Sequence, residues 1–246
     1  MKRQELATAR QTSAASMALS TLMNRSHRWV LAAVLAVAVI NPVAAGTNGF
    51  FVPFFRGGVG SQTAGWEVFT VATNNGVGNA PDLVGSTANA RVVQFEPNAF
   101  LLSSGNIYNI AHKSEFELRY SGAEEIGLVT LQIRTGGFEL DYANVALVYD
   151  LAGTPQFVSA ARTELDRQSA GPGGVFVSSS WQWDVSALGL SSFTLQFKAA
   201  EGSVSMDSIT LDTLSKSQTA LVPEPSTWAL LGAGTLGLLA MGWRRR

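Results

Sequence analysis

Three segments in the middle of the chain alternate apolar and polar residues with a period of two. They are Phe116–Tyr120, Val129–Ile133 and Phe193–Phe197. Side chains of a β-strand point alternately to the two faces of a sheet, so the pattern predicts strands with one buried and one exposed face. Six further segments are weaker strand candidates: Trp66–Val71, Arg91–Phe95, Asn106–Ile110, Val145–Tyr149, Val175–Ser178 and Trp181–Val185.

Turn-forming residues separate these candidates, and only Ser159–Gln168 is compatible with a helix. Many short strands without intervening helices are typical of an antiparallel sandwich. The sequence therefore predicts an all-β fold, an antiparallel two-sheet sandwich, over residues 46–221. The turn clusters are Asn74–Gly76, Ser104–Asn106, Gly136–Gly137 and Gly171–Gly174.

Residues 1–45 have the pattern of an export signal. A basic stretch around Arg25 and Arg28 precedes the uncharged apolar core Trp29–Ile40. Small residues then end at Ala45, which predicts cleavage before Gly46. The sequence therefore predicts an N-terminal signal helix that is removed from the mature protein.

The length of this signal leaves its start open. Counted from Met1 it exceeds the usual ~15–30 residues, whereas a start at Met23, or at Met17, brings it closer to the usual length. The other interpretation is an extended basic region that begins at Met1. A permanent N-terminal anchor is a third interpretation, which the short apolar core and the cleavage site disfavour.

The last 25 residues hold three features in order: Val222-Pro223-Glu224-Pro225, the uncharged run Trp228–Trp243, and the cluster Arg244-Arg245-Arg246. The run would be about 24 Å long as a helix, short of a bilayer core of about 30 Å. It can still span with local thinning, while the arginines snorkel and stop translocation on the cytoplasmic side. The sequence predicts a single transmembrane helix over residues 228–243.

This tail resembles the PEP-CTERM protein-sorting signal in its triplet Pro223-Glu224-Pro225, its apolar span and its terminal arginines. The resemblance implies that exosortase, a membrane cysteine transpeptidase-like enzyme, is a partner and removes the tail near the triplet after export. It also implies a Gram-negative bacterium that makes extracellular polysaccharide. The protein would be anchored in the inner membrane before processing, then reach the cell surface or extracellular matrix. A permanent single-span anchor is the alternative.

The charges of the central segment limit its partners. Residues 46–221 contain sixteen acidic and nine basic residues, and the chain has no cysteine. An acidic domain is disfavoured as a binder of nucleic acid or anionic lipid, and it is compatible with Ca²⁺ or neutral sugars. Without disulfides, packing must hold the exported domain together.

A second resemblance concerns the central segment. Trp183–Leu188 and Ser205–Asp212 are similar to the closing strands of galactose-binding-like jelly rolls, and Asn48–Phe50 and Gly65–Glu67 are similar to the opening of carbohydrate-binding modules on that fold. The resemblance implies a jelly-roll-like sandwich in which the last strand lies beside the first. It also implies carbohydrate as a candidate ligand.

The phase of the last predicted strand slips at Asp207. Val204 and Met206 share one face, and the apolar pattern resumes at Ile209 and Leu211, three residues after Met206. One inserted residue has this effect, so the pattern predicts a β-bulge at Asp207.

The same resemblance implies a structural Ca²⁺ held by Glu67 and Asp207. Ca²⁺ takes six to eight oxygen ligands, and Asn74, Asn79 and Asp82 of the following loop are candidates for the remainder. The other interpretation is a solvent-facing aspartate and a turn-forming asparagine cluster. No contiguous calcium-loop motif decides between them.

Trp181 and Trp183 lie two residues apart and therefore point to one face of a strand. Turned outward they would form a ligand-binding platform for sugar rings, and turned inward they are core. Large aromatic side chains usually fill cores, which favours the second interpretation.

The best candidate for catalysis is the segment Glu139–Asn144. Glu139, Asp141 and Asn144 resemble the Glu-x-Asp-x-x-Glu strand of some jelly-roll glycoside hydrolases, but the last position is an amide. A retaining glycosidase needs two carboxyls about 5–5.5 Å apart, so one catalytic group is missing. His112 is the only histidine between residues 46 and 221, which leaves little for a triad or a zinc site. The sequence therefore predicts a non-catalytic exported protein with carbohydrate as a candidate ligand; the alternative is a secreted polysaccharide-active enzyme with an atypical carboxylate site.

Overall fold

Regular structure in the computed structural model, which describes residues 49–74, 76–171 and 173–219, is almost entirely β-strand. A 3₁₀ helix covers Tyr142–Asn144, and one helical turn, α1, covers Lys216–Thr219. The strands of the described ranges are β1 (Ser61–Trp66), β2 (Ala90–Gln94), β3 (Phe100–Leu101), β4 (Ile107–Asn109), β5 (Glu115–Ser121), β6 (Ile126–Gly137), β7 (Ala146–Leu151), β8 (Thr154–Ser159), β9 (Arg162–Ser169), β10 (Val175–Asp184), β11 (Ser192–Lys198) and β12 (Val204–Ser215).

The two predicted terminal signals lie outside the described residues. These are the signal peptide with its cleavage site between Ala45 and Gly46, and the tail with the membrane helix 228–243. Among the residues that are described, no helix is both long enough and apolar enough to cross a membrane.

The strands form two antiparallel sheets. The larger has the order β3-β4-β12-β6-β10-β9, with β1 also paired to β12, and the smaller has the order β2-β5-β11-β7-β8. The β1–β12 ladder runs from Ser61 opposite Leu214 to Trp66 opposite Ile209. The first and last strands are therefore neighbours, as the jelly-roll resemblance implied.

One hydrophobic core contains side chains from both sheets. In the smaller sheet Phe116 stacks on Phe197 with ring centroids 5.4 Å apart, and Tyr120 stacks on Phe193 at 5.2 Å. Each pair lies directly across the β5–β11 ladder, where aromatic pairs stabilise a sheet. The two strands predicted from residues 116–120 and 193–197 are thus confirmed, and they pair with each other.

Residues 49–60, here called the N-terminal strap, cover part of the outer face of the larger sheet. The Gln132 side chain accepts a hydrogen bond from the Phe51 N–H (2.9 Å) and donates one to the Phe51 carbonyl (3.0 Å). Arg56 Nε and Nη2 each lie 2.6 Å from a carboxylate oxygen of Asp212. The outward positions of β6 are therefore buried as well, although its sequence alternates.

Residues 159–168, whose sequence is compatible with a helix, are mostly strand instead. These residues contain the end of β8 and most of β9, an edge strand paired with β10. The turn between β9 and β10 is closed by a 3.0 Å hydrogen bond from the Ala170 N–H to the Gly174 carbonyl. Pairing with a neighbouring strand overrides the helix propensity of this segment.

Two strand boundaries also differ from prediction. β1 ends at Trp66 instead of beginning there, because the Asp82 carboxylate accepts hydrogen bonds from the N–H groups of Glu67 (2.8 Å) and Val68 (3.1 Å). β10 joins two segments that were predicted as separate strands.

The predicted bulge in the last strand is confirmed. The register of β12 against β6 shifts between Met206 and Ser208, which leaves Asp207 unpaired in the ladder.

Candidate functional site

A groove of about 430 Å³ lies on the outer face of the smaller sheet. Glu117 on β5 and Gln196 on β11 line it from opposite positions of the ladder, and Phe157 on β8 lines its side. A second depression, of about 350 Å³, follows in the adjacent row of the same face, beside Arg119 and Thr194. The two depressions together form an extended concave surface on this face.

A polar network is preorganised in the groove. Glu117 accepts hydrogen bonds from Arg119 Nε (3.0 Å) and Nη2 (2.8 Å), and from Gln196 Nε2 (3.2 Å). The Arg119 guanidinium also lies 5.7 Å from the centroid of the Phe95 ring. Hydrogen bonds thus hold the carboxylate, the amide and the guanidinium together at the outer face of the sheet, where their donors and acceptors can bind hydroxyl groups.

Phe157 adds an exposed aromatic surface beside these polar groups. Its side chain is 65% exposed and lies opposite Val148 on the outward face of β8. Small-molecule sites typically combine an apolar surface with a few placed polar groups, and a sugar ring offers both a C–H face and hydroxyls.

Sequence reasoning missed this groove. Glu117 and Gln196 occupy the outward phase of alternating strands, where polar residues are expected without any ligand. The signal that could have drawn attention is Phe157, a large aromatic residue in the outward phase of a short segment that also contains Pro155.

Trp181 and Trp183 belong to the core, so the ligand-platform interpretation is wrong. They are 1% and 2% exposed and lie opposite Leu131 and Val129 on the inner face of β10. Trp183 Nε1 donates a 2.9 Å hydrogen bond to the Val158 carbonyl of β8, in the other sheet.

The Asp207 carboxylate already binds protein groups. It accepts a 2.8 Å hydrogen bond from Asn106 Nδ2 and lies 3.2 Å from Arg134 Nε. Asp82, a second proposed ligand, caps the backbone N–H groups after β1.

The asparagines of the proposed calcium loop are also engaged. Asn79 Oδ1 accepts hydrogen bonds from the N–H groups of Thr70 and Val71, both at 2.8 Å, and Asn74 Oδ1 closes a turn on Gly76. The described residues contain no group of three or more acidic or histidine side chains that could hold a metal. The described geometry therefore gives no support to a calcium site at Glu67 and Asp207, and calcium binding stays a prediction.

Glu139, the first residue of the catalytic candidate, lies in a row of alternating charges along the β9 edge. Arg167 donates to both Glu139 oxygens (2.7 and 3.1 Å) and to both Glu164 oxygens (2.9 and 2.9 Å). Arg162 donates to Glu164 (2.7 Å), and its guanidinium lies 3.6 Å from the centroid of the Tyr142 ring. Charges on an edge strand oppose pairing with another chain, so this row has a structural role.

The other two positions of the catalytic candidate bind each other. Asp141 Oδ2 accepts a 2.7 Å hydrogen bond from Asn144 Nδ2. Asn144 provides no carboxyl, and Glu139 is tied to Arg167, so these residues do not assemble the pair that a glycosidase requires.

The charge row predicts a specific sensitivity to acid. Hydrogen bonds from Arg167 lower the pKa of Glu164 to about 2 and also lower the pKa of Glu139, both from an ordinary value of 4.5. A lowered folded-state pKa gives stability that is present above pH 4.5 and lost as the pH falls through the folded pKa. We expect the free energy of unfolding to decrease between about pH 5 and about pH 2, and to decrease less in an Arg167→Met variant.

Urea unfolding across this pH range measures the effect. Lys216→Met is the matched control, because it removes a different surface ion pair, with Glu125 (2.9 Å), and should keep the parent's acid dependence. An Arg167→Met variant with the parent's full dependence would show that the row does not set it.

Comparison with known protein families identifies the C-terminal segment. Residues 221–246 match the PEP-CTERM protein-sorting motif. The chain carries this sorting motif. A PEP-CTERM motif implies an exported protein that exosortase sorts to the cell envelope of a Gram-negative bacterium. No curated protein matches the chain.

The PEP-CTERM motif begins almost directly after the described sandwich. The last turn, α1, ends at Thr219, whose hydroxyl donates a 3.1 Å hydrogen bond to the Ser215 carbonyl. Lys216 ties the same turn to Glu125. These contacts therefore hold the chain in the fold as far as Thr219, four residues before Pro223, the first proline of the triplet.

Proposed function

We propose that the protein is a non-catalytic component of the cell surface or extracellular matrix, and that its sandwich binds carbohydrate in the groove of the smaller sheet. The PEP-CTERM motif at residues 221–246 supports the address. The preorganised polar network beside the exposed Phe157 is the single observation that supports the binding activity. Assignment of the sandwich to the galactose-binding-like jelly rolls is part of this proposal, and the pairing of first and last strands supports it.

The proposed route begins with the N-terminal signal, which is cleaved before Gly46. The run from Trp228 to Trp243 then halts translocation, with the terminal arginines left in the cytoplasm. In this route the triplet that starts at Pro223 reaches the outer face of the inner membrane. Exosortase cleaves there, and the sandwich passes to the surface or matrix.

The proposed ligand is a neutral polysaccharide. Hydroxyls can bond to Glu117, Gln196 and Arg119, while the C–H face of a sugar stacks on Phe157. The excess of acidic residues in the central segment repels polyanions, which disfavours acidic polymers.

Replacing Phe157 with alanine is expected to weaken binding of a neutral hexasaccharide by about two- to tenfold, because an aromatic contact contributes about 0.5–1.5 kcal/mol and 1.4 kcal/mol corresponds to a factor of ten. The hexasaccharide is selected on a glycan array probed with residues 46–221, and its dissociation constant is measured by calorimetry. Phe138→Ala is the matched control. Phe138 is also exposed (47%), but it directly follows β6, a strand of the larger sheet. Absence of glycan binding, or equal affinity of the parent and Phe157→Ala, would refute the proposed site.

One observation favours the alternative, a polysaccharide-active enzyme. Glu115 and Glu117 both line the groove and, two residues apart on β5, point to the same face. The test is whether the parent cuts the bound hexasaccharide. If it does, and a Glu117→Gln variant binds the hexasaccharide without cutting it, the enzyme hypothesis is correct and the hypothesis of a non-catalytic binding protein is wrong.

A further inference from the structure

The second half of the N-terminal strap, residues 53–60, presents two apolar side chains to solvent on a rigid frame. Phe54 is 71% exposed and Val59 is 80% exposed. Three backbone hydrogen bonds of 2.9, 3.0 and 3.2 Å close successive turns through this loop. An ordered loop that holds two large apolar side chains in water is a candidate interaction surface.

Neighbouring residues fix the loop to the larger sheet. Phe55 is buried against Leu128 and Leu214, and its ring meets that of Phe54 edge-on at 5.4 Å. Arg56 is clamped on Asp212 by two hydrogen bonds of 2.6 Å. The outward position of Phe54 is thus set by packing on both sides of it.

The loop lies at the end of the sandwich from which the chain runs on to the sorting motif. The Gly60 carbonyl accepts a 2.8 Å hydrogen bond from the Ser215 N–H, at the last residue of β12. The described chain ends at Thr219, nine residues before Trp228, where the apolar run begins. Nine residues reach at most about 30 Å, so a tail in the membrane keeps this end of the sandwich close to the bilayer.

We propose that Phe54 and Val59 contact the lipid interface at the outer face of the inner membrane while the tail is still attached. The inference rests on the membrane-spanning tail of the proposed function. The contact is apolar, which agrees with the acidic charge of the domain. Because the tail already supplies a high local concentration, two apolar side chains suffice for a contact that is released once the tail is removed.

Single-cysteine labelling tests this contact on the full chain, which contains no cysteine of its own. Phe54→Cys and Val59→Cys variants carry an environment-sensitive nitrobenzoxadiazole fluorophore and are reconstituted into phosphatidylcholine vesicles with and without doxyl-labelled lipid. Ile110→Cys is the matched control, because Ile110 is also exposed (62%) but lies at the opposite end of β12. Its carbonyl accepts a hydrogen bond from the hydroxyl of Ser203, the residue before β12. β12 has twelve residues, so its first residue lies about 37 Å from its last residue, Ser215, where the loop is attached. Leu236→Cys reports insertion of the tail itself.

We expect a blue shift and quenching by doxyl lipid at positions 54, 59 and 236, and neither at position 110. Quenching at 236 with the labels at 54 and 59 still in water would overturn the inference and leave the inserted tail intact. A blue shift at 54 and 59 without doxyl quenching would indicate contact with a second copy and would also overturn it. An unquenched label at 236 would refute the membrane-spanning tail, and the inference with it.

Discussion

Replacing Arg56 with methionine is expected to lower the free energy of unfolding of residues 46–221 by about 3–5 kcal/mol, because it leaves a buried carboxylate without its cation. The Asp212 side chain is fully buried, and both of its oxygens lie 2.6 Å from the Arg56 guanidinium. Thr63 Oγ1, at 2.8 Å, is the other side-chain donor, and one hydroxyl does not neutralise the charge. Urea unfolding at neutral pH measures the difference.

Two further variants separate this charge effect from a general loss of packing. Lys216→Met removes an exposed ion pair and should cost less than about 1 kcal/mol. Adding Asp212→Asn to Arg56→Met removes the stranded charge and should restore part of the lost stability, which a double-mutant cycle quantifies. A loss of less than about 1 kcal/mol in Arg56→Met would mean that the strap is not held by this pair.

The Arg56–Asp212 ion pair also limits where the mature protein can begin. Cleavage before Gly46 leaves the whole strap in place, whereas cleavage beyond Arg56 would remove the partner of a buried carboxylate. The pair is therefore compatible with any cleavage site before Arg56, and cleavage before Gly46 stays a prediction.

Replacing Pro223, Glu224 and Pro225 together with alanine is expected to hold the protein in the inner membrane at full length. Alanines remove both prolines and the carboxylate of the motif, and they leave the apolar run and the terminal arginines unchanged. Cell fractionation with an antibody against residues 46–221 measures where the protein accumulates.

Thr235→Ala is the control for this experiment. It alters the tail but preserves the triplet and the arginines, so it should be processed like the parent. Normal surface delivery of the triple variant would mean that the triplet does not direct sorting, and would leave the tail as a simple anchor.

The sequence predicts the parts of this molecule that are set locally. β5 and β11 have strict alternation because one face of each packs in the core and the other faces the groove. The bulge at Asp207 is visible as a phase slip, and the PEP-CTERM motif is contiguous and ordered. In each case the signal lies within a dozen or so neighbouring residues.

The sequence leaves open, or misses, the features that depend on contacts between distant residues. The charges of β9 were compatible with a helix, but pairing with β10 makes it a strand whose charges protect an edge. Whether Trp181 and Trp183 face inward depends on their strand partners in β6. The groove needs Glu117 and Gln196 to meet Phe157, and these residues come from strands separated along the chain.

Intact-mass measurement of the protein recovered from the surface or medium of its native host tests the central claim most directly. The sorting account predicts a chain that begins at Gly46 and ends near the Pro223-Glu224-Pro225 triplet, without the apolar run. A surface protein that still ends in Arg246 would contradict the account.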